Sequence, residues 1–537
     1  MRFLVIFLCA VFGLSFHAAA QDVRISEFLA SNVAGIVDED GAHSGWIEIW
    51  NPSPSAKVTL TGWKLTDGTN VWTFPGVDVM PNDFLLVWAS GKNKVVATEP
   101  LHTSFTLPKA GGYLGLLRPA NTIASEFAPQ YPPQIDDVSY GRDAANPTLT
   151  GFYENPTPED TNNYQGSGVA GKVLISVSSR TFTTPLSVTL SLATADPAAE
   201  IRYTTTGAVP TSASTLYTGP IAVSATQTIR ARVFSAGLLP GETEEATYLL
   251  LDNNTNNFSS AIPIIALTNF GSGQPPADGD QRAYMWVFEP GADGRARLSN
   301  DPTLATRVVI DRRGSSTLNN PKYNLNVEAR KARDDDDRNI ALLGMPPGSD
   351  YVFHAPYDFD RALMRNAFAY GLSNSIGRYA SRSRMAEVFI DTNGNALTFT
   401  GSGSGDYFGV YNILEKIRRD PARVNVTKLN MYDNGPVTKT GGYIVKVDRK
   451  DPGDGGFTTP HEASGAWPLA NGFAYYYPRE IEIRAPQRSP QRQYIVGYLT
   501  AMDNASFSAN YKDPNVGFRA YVDVPAAIDH HLLNVWP

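Results

Sequence analysis

The sequence predicts a multidomain chain, two all-β sandwiches followed by an α+β domain. Three observations carry that prediction. In residues 21–141 and 171–251, short runs of alternating apolar and polar residues stand between Gly, Pro and Asn, the pattern of half-buried strands and turns. From residue 262 strands mix with segments of helical period. Two stretches without periodicity, 142–170 and 252–261, are rich in Asn, Thr, Ser and Pro and read as linkers. The 537 residues suffice for about three to four domains. A hydrophobic content of 42% with 18% charge describes a folded chain. The net charge of −8, with no dominant basic stripe, argues against nucleic acid as a partner.

Residues 1–20 read as a signal peptide. Arg2 is the positive start, "FLVIFLCAVFGLSF" the apolar stretch, and "HAAAQ" places cleavage after Ala20. The protein is therefore expected to be secreted or extracytoplasmic, at the cell surface or in the periplasm. Cys9, the only cysteine, lies in this segment, so the mature chain is expected to form no disulfide and to use no thiolate. No later segment is apolar enough to span a membrane.

In residues 21–141, "VRISEFLAS", "GWIEIWNP", "VTLTGWKLTD", "DFLLVWAS" and "GGYLGLLRP" are the strands of an antiparallel sandwich. Through Trp46, Glu48, Asn51, Pro52, Gly62, Trp63 and Leu65 this segment resembles the lamin-tail domain, an immunoglobulin-like sandwich. Trp46, Trp50, Trp63, Trp72 and Trp88 would form either a ligand platform or, as strand spacing favours, core and edge packing.

Residues 171–251 supply "SVTLSL", "EIRYTTTG", "GPIAV" and "QTIRARVF" as strands. Tyr203, Thr204, Gly207, Pro210, Tyr217, Gly219, Pro220, Ile229 and Ala231 give a resemblance to the small β-sandwich at the C-terminus of chitobiase and β-hexosaminidase enzymes. The resemblance implies an accessory module, either touching carbohydrate or presenting its neighbour. No paired carboxylates of glycosidase type mark it.

Residues 262–537 carry the chemistry-bearing motifs. "TRVVIDRRGSSTLNNPKYNLNVEARK" reads as two strands around a tight polar turn, and "RMAEVFIDTNGNALTFTGSGSGDYFGVYNILEKI" as two more around a Gly/Ser tip. "DFDRALMRNAFAYGLSNSIG" reads as a helix with Leu363, Met364, Phe368, Leu372 and Ile376 on or near one face. "SPQRQYIVGYLTAMDNA" is a second helix. A third opens with Asp523 as cap and Pro525 in its first turn; the apolar face ending in Leu532, Val535 and Trp536 is expected to be exposed and sticky. Phosphoryl transfer needs a basic side chain on the phosphates, a backbone cradle, and carboxylates holding metal. Arg313, Gly314, Ser315 and Ser316 are the candidate cradle, Lys322 the candidate phosphate ligand, and Glu415 would orient that lysine or sit near a nucleotide edge.

The blocks "RRGSST … NPKYNLNVEAR", "LLGMPPGSDYVFHAPYDFDRALMRNAFAYGLS", "AEVFIDTN … DYFGVYNILEKIRRD", "GGYIVKVDR" and "YVDVPAAIDHHLLN" together resemble the spore-coat protein H (CotH) kinase family. The resemblance implies a protein-kinase-like fold, ATP with Mg or Mn as cofactor, and phosphorylation of an extracellular protein acceptor. It places Arg313–Ser315, Lys322 and Glu415 in the nucleotide lobe, with Asp360, Arg365 and Asn366 opening its helix. The family's two basic residues after the proline are here Lys322 and then Tyr323. Its catalytic and metal-binding aspartates are expected beyond Pro537, so the kinase-like domain reads as C-terminally incomplete, and no catalytic or metal residue is assigned within 262–537. On this reading the chain would be inactive in transfer. The alternative is an extracellular binding or scaffold protein that attaches to a surface polymer. Asp334–Asp337 and the set Asp448, Asp451 and Asp454 read as solvated loops, and His530 and His531 as a poor metal pair, since helical neighbours point in different directions.

Overall fold

The computed structural model describes residues 23–332, 336–357, 360–400, 405–447, 455–463 and 472–535. The signal-peptide reading of residues 1–20, part of the Asp334–Asp337 run, the Gly401–Ser404 tip, the Asp448–Asp454 set and Trp536 lie outside them. The chain divides into two compact units, residues 1–168 and 169–537.

In the first unit a six-stranded sheet centres on Arg24–Leu29 and Gly45–Trp50, and a four-stranded sheet is built from Lys64–Thr66, Val71–Thr73, Gly112–Leu117 and Ile123–Tyr131. Their inner faces share a core of Phe28, Ile47, Ile49, Leu65, Trp72, Leu114 and Leu116. Trp46, Trp63, Trp72 and Trp88 are buried, as the packing reading requires; Trp50, half-buried, stacks on Phe84 at 5.9 Å. Beyond residue 141, where the sequence shows no period, Thr150–Tyr153 forms the sheet's edge strand. The following turn covers two buried carboxylates paired across neighbouring strands, Glu27 and Glu48. Thr157 donates to Glu27, and the Glu159 N–H donates to Glu48 at 2.5 Å.

The second unit opens with a small sandwich around Val188, Val223, Ile229, Ala231, Val233 and Tyr248. Glu244–Leu250 is the last strand in sequence of its five-stranded sheet and pairs on both sides. Residues 252–261 are ordered by contacts: Asp252 caps the short helix Asn253–Asn256 by accepting from the Thr255 N–H at 2.6 Å. Leu249 and Leu251 pack with Ile264, Trp286, Phe389 and Leu397 in one cluster. Arg307 reaches Glu245 at 2.6 Å across the same seam.

Seven strands then close a barrel: β1 (Ile264–Thr268), β2 (Gln281–Phe288), β3 (Leu304–Arg313), β4 (Asn324–Arg330), β5 (Asp350–His354), β6 (Ser383–Asp391) and β7 (Tyr407–Glu415), in the order β1-β2-β3-β4-β5-β7-β6. Closure is made by the parallel pairing of β1 with β6. Ile265, Met285, Val308, Leu325, Phe353, Val388 and Ile413 fill the interior. The β3–β4 connection, expected as a tight turn, spans residues 314–323.

Helices follow and interrupt the barrel: α1 (Arg365–Ser375), α2 (Ser489–Ser506) and α3 (Val524–Val535). Asp523 caps α3 through the Ala526 N–H at 3.1 Å. The apolar residues of α1 do not face a core, contrary to the amphipathic reading: Met364, Phe368, Leu372 and Ile376 are exposed, and only Ser373 of the helix is buried. Leu532 and Val535 of α3 are likewise exposed. Among the described residues no helix is long and apolar enough to cross a membrane.

Candidate functional site

One end of the barrel gathers the predicted basic residues. β3 ends at Arg313, opposite Asn324 at the start of β4, and β5 ends nearby at His354. The connection leaving Arg313 turns at Gly314, whose φ of +119° few side chains adopt; a Cβ there would lie 2.3 Å from Thr317 Oγ1. Ser315 and Ser316 follow, exposed. Asn324 pins the turn by donating to Thr317 Oγ1 at 3.0 Å, and its side-chain oxygen accepts from the Ala355 N–H at 2.7 Å.

Lys322 lies just before β4 and is half-buried. Its Nζ donates to the Val410 carbonyl at 2.6 Å and sits 5.0 Å from the centre of the Tyr411 ring. Burial lowers its pKa to about 8, against the opposing charge of Glu387. His354 is also lowered, first by burial; the negative Asp360 opposes that shift, and the positive Arg313 and Lys322 add to it. Arg313, Lys322 and Asp360 thus all act on His354 at this end. Asp360 was expected only to open the helix, and His354 was assigned no role by the sequence motifs. Their signal was the "HAPYDFD" run, where ionisable residues bracket a proline.

Asp360 is buried and accepts from the Arg365 N–H at 3.1 Å, so it fixes the start of α1; Arg365 itself is exposed and Asn366 half-buried. Glu387 accepts from Tyr407 at 2.5 Å and from Ser260 at 3.0 Å.

Glu415 does not join this group, and the expectation that it orients Lys322 is corrected. It lies five positions beyond Val410 on β7, roughly 17 Å along an extended strand. There it is fully buried, 2.8 Å from Arg382 and 3.0 Å from Arg423. Arg423 also donates to the carbonyls of Pro346 and Pro347. Glu415 therefore ties the 418–423 segment to the barrel.

The donor set fits a phosphate group: one permanent cation, Arg313, a glycine turn and a partly desolvated lysine. It does not fit a divalent metal in the same way. Glu387 and Asp360 are engaged as described, and no cluster of three His, Cys, Asp or Glu residues that would hold a metal occurs among the described residues. His530 and His531 are exposed on α3 and belong to no such cluster.

The architecture defines a class: a mostly β, multidomain chain whose last module joins a closed barrel with cations at one end to a helical portion. The family model for CotH kinase protein matches residues 310–536, and that for the chitobiase/beta-hexosaminidase C-terminal domain matches residues 177–245. The chain carries a CotH kinase-family domain behind a chitobiase-type sandwich. The first match begins within β3, so β1 and β2, which complete the barrel, precede it. No curated protein matches the chain.

Proposed function

We propose that the barrel end formed by Arg313, the Gly314–Ser316 turn and Lys322 binds the phosphates of a nucleotide, ATP in the first instance. The observation that carries the reading is the lysine: a half-buried ammonium held on a backbone carbonyl, its pKa lowered to about 8, beside Arg313 and His354. An anion arriving there replaces lost hydration with charge-assisted hydrogen bonds. ATP bound there would supply a transferable phosphoryl group. This chain's own residues hold and orient its phosphates. In the same proposal residues 1–20 export the protein, residues 21–141 are a lamin-tail-like sandwich, and the acceptor is an extracellular protein.

Calorimetric titration of the full chain with ATP, with and without Mn²⁺, tests the reading. Binding is expected, weakened about 10- to 100-fold by Lys322→Met, the worth of a hydrogen bond to a charged group. Affinity is also expected to fall as pH rises above about 8, because the ammonium form is the ligand. Equal affinity in Lys322→Met would defeat the proposal.

The second reading, an extracellular binding protein, is favoured by the seam between sandwich and barrel. A spacer has no need of a buried Arg230–Glu245–Arg307 cluster joining it to its neighbour.

A further inference from the structure

Four residues at the Arg313 end of the barrel stand in one row across neighbouring strands. Arg313 on β3 pairs with Asn324 on β4, and His354 on β5 pairs with Asn412 on β7. Leu325 opposite Phe353 aligns the two pairs and puts Asn324 beside His354. Leu325, Phe353, Tyr411 and Ile413 fill the core, so alternation turns the residues of the row to the outer face. Directly opposed side chains in such a row stand about 5 Å apart.

The segment leading into α1 covers this row and leaves two acceptors without donors. Leu363 has a left-handed φ of +58°, a conformation that costs a bulky residue free energy, and its carbonyl accepts from Asn412 Nδ2 at 3.4 Å. That bond orients the amide. Asn412 is fully buried, and its side-chain oxygen has no hydrogen-bond partner. Asp360, also buried, accepts from the Arg365 N–H at 3.1 Å through one carboxylate oxygen. The other oxygen has no hydrogen bond, Arg365 Nε standing 3.8 Å away. A buried acceptor in this state has given up its bonds to water for nothing, so a donor that arrives later is worth more there than at the surface.

His354 is the group that can supply that donor. Asn412 is its cross-strand neighbour, and Asp360 acts on its charge. A neutral imidazole carries one N–H and an imidazolium two. Burial lowers the pKa of His354 from its ordinary 6.5; the negative Asp360 opposes that shift, and the positive Arg313 and Lys322 add to it. A phosphate seated on Arg313 and Lys322 offsets both cations and leaves the pull of Asp360.

We infer that His354 takes a proton from solvent as the phosphates bind, giving one N–H to a phosphate oxygen and the other to the donorless oxygen of Asp360, with that of Asn412 beside it. The inference deepens the nucleotide reading and rests on it. His354 becomes a phosphate ligand, Asp360 and Asn412 its positioning residues, and the site becomes proton-linked. For an anion of fixed charge, affinity falls as pH rises from the imidazole's free pKa to its bound one. That window lies below the one set by Lys322.

Histidine-selective carbon-13 NMR of the full chain, titrated in pH with and without saturating ATP, tests it. The His354 signal is the one missing from His354→Gln, or from His354→Asn if the first variant fails to fold. Its pKa is expected to lie at least one unit higher with ATP, a tenfold change in affinity across the window. Asp360→Asn keeps an oxygen for the Arg365 N–H and is expected to cut that rise by half or more with ATP still bound; should it fail to fold, the wild-type titration decides alone. A His354 pKa unmoved or lowered while calorimetry shows ATP bound would overturn the inference and spare the nucleotide reading. An undiminished rise in Asp360→Asn would also overturn it. Absence of ATP binding would defeat the nucleotide reading itself, and this inference with it.

Discussion

The two halves of β7 treat buried charge in opposite ways. Near its start, the Val410 carbonyl holds Lys322, whose ammonium burial disfavours. At its end, Glu415 is buried between Arg382 and Arg423. The first charge is left poised for something that arrives, the second is neutralised within the fold. A kinase-like nucleotide lobe suggests that lysine and glutamate form a pair. Here the pair is split along one strand, and each member has taken its own partner.

Removing Glu415 gives the largest expected effect. Glu415→Ala leaves Arg423, 2% exposed at its side chain, with only the more distant and more exposed Asp420 at 3.5 Å as a carboxylate partner. Breaking a buried pair from one side costs about 3–5 kcal/mol. Urea unfolding of the full chain should show that loss in the transition of the second unit. A loss below about 1 kcal/mol would mean that Arg423 finds compensation in the Pro346 and Pro347 carbonyls.

Lys322→Met should act in the other sense. The lysine's folded pKa lies below its ordinary 10.5, so between pH 8 and 10.5 the unfolded chain binds the extra proton and stability rises with pH. Below pH 8 both states are protonated and the cost of burying the charge is fully present. The variant should therefore equal or exceed the wild type in stability at pH 7 and lack that alkaline rise. A wild-type stability curve flat over this window would show that the lysine is better solvated than its burial implies.

The first unit offers a third treatment of charge, two carboxylates facing each other beneath a turn. Burial, with Glu27 adding to it, raises Glu48 to about 8; burial raises Glu27 too. Here the folded state holds the proton that the unfolded state releases above about 4.5, so stability falls as pH rises from there to about 8. Glu48→Gln should flatten that fall in the first unit, read as its thermal midpoint at pH 5 and pH 8, and leave the second unit unmoved. An equal fall in the variant would place the linkage elsewhere.

What the sequence disclosed follows from the range of the interactions concerned. Strand alternation and the cap at Asp523 are local, and the strands and α3 stand where the pattern places them. The tryptophan core was legible because indoles at strand spacing have few alternatives to burial. The turn at Gly314 and the lysine after it are eight residues apart, within one hairpin connection, and the fold keeps them at one end. The fate of Glu415 was not legible, since Arg382 lies 33 residues away and reaches it only once β6 and β7 pair. Barrel closure by β1 on β6 joins residues more than a hundred apart, and no periodicity encodes that. Residues 142–170 lacked a period because their one strand is a four-residue edge, and the next turn is held by side-chain bonds to Glu27 and Glu48.

The smallest expected effect lies in the helical portion, where periodicity misled. The apolar residues of α1 fit a helix face, yet Phe368 is 55% exposed, and Leu532 on α3 is 50% exposed. The segment just after α1 reaches α3 through an ion pair, Arg378 donating to Asp529 at 2.8 Å. Surface residues that touch no core change stability by about 0.5 kcal/mol or less when replaced. Phe368→Ser with Leu532→Ser should therefore leave the unfolding midpoint of the second unit almost unchanged while lowering self-association, read by light scattering against concentration. Arg378→Ala should loosen α3 instead, seen as faster amide exchange over Val524–Val535 with the barrel strands unaffected. If the double serine variant lost several kcal/mol, the apolar face would be packed in solution, and the helical portion would resemble the barrel in depending on a buried core.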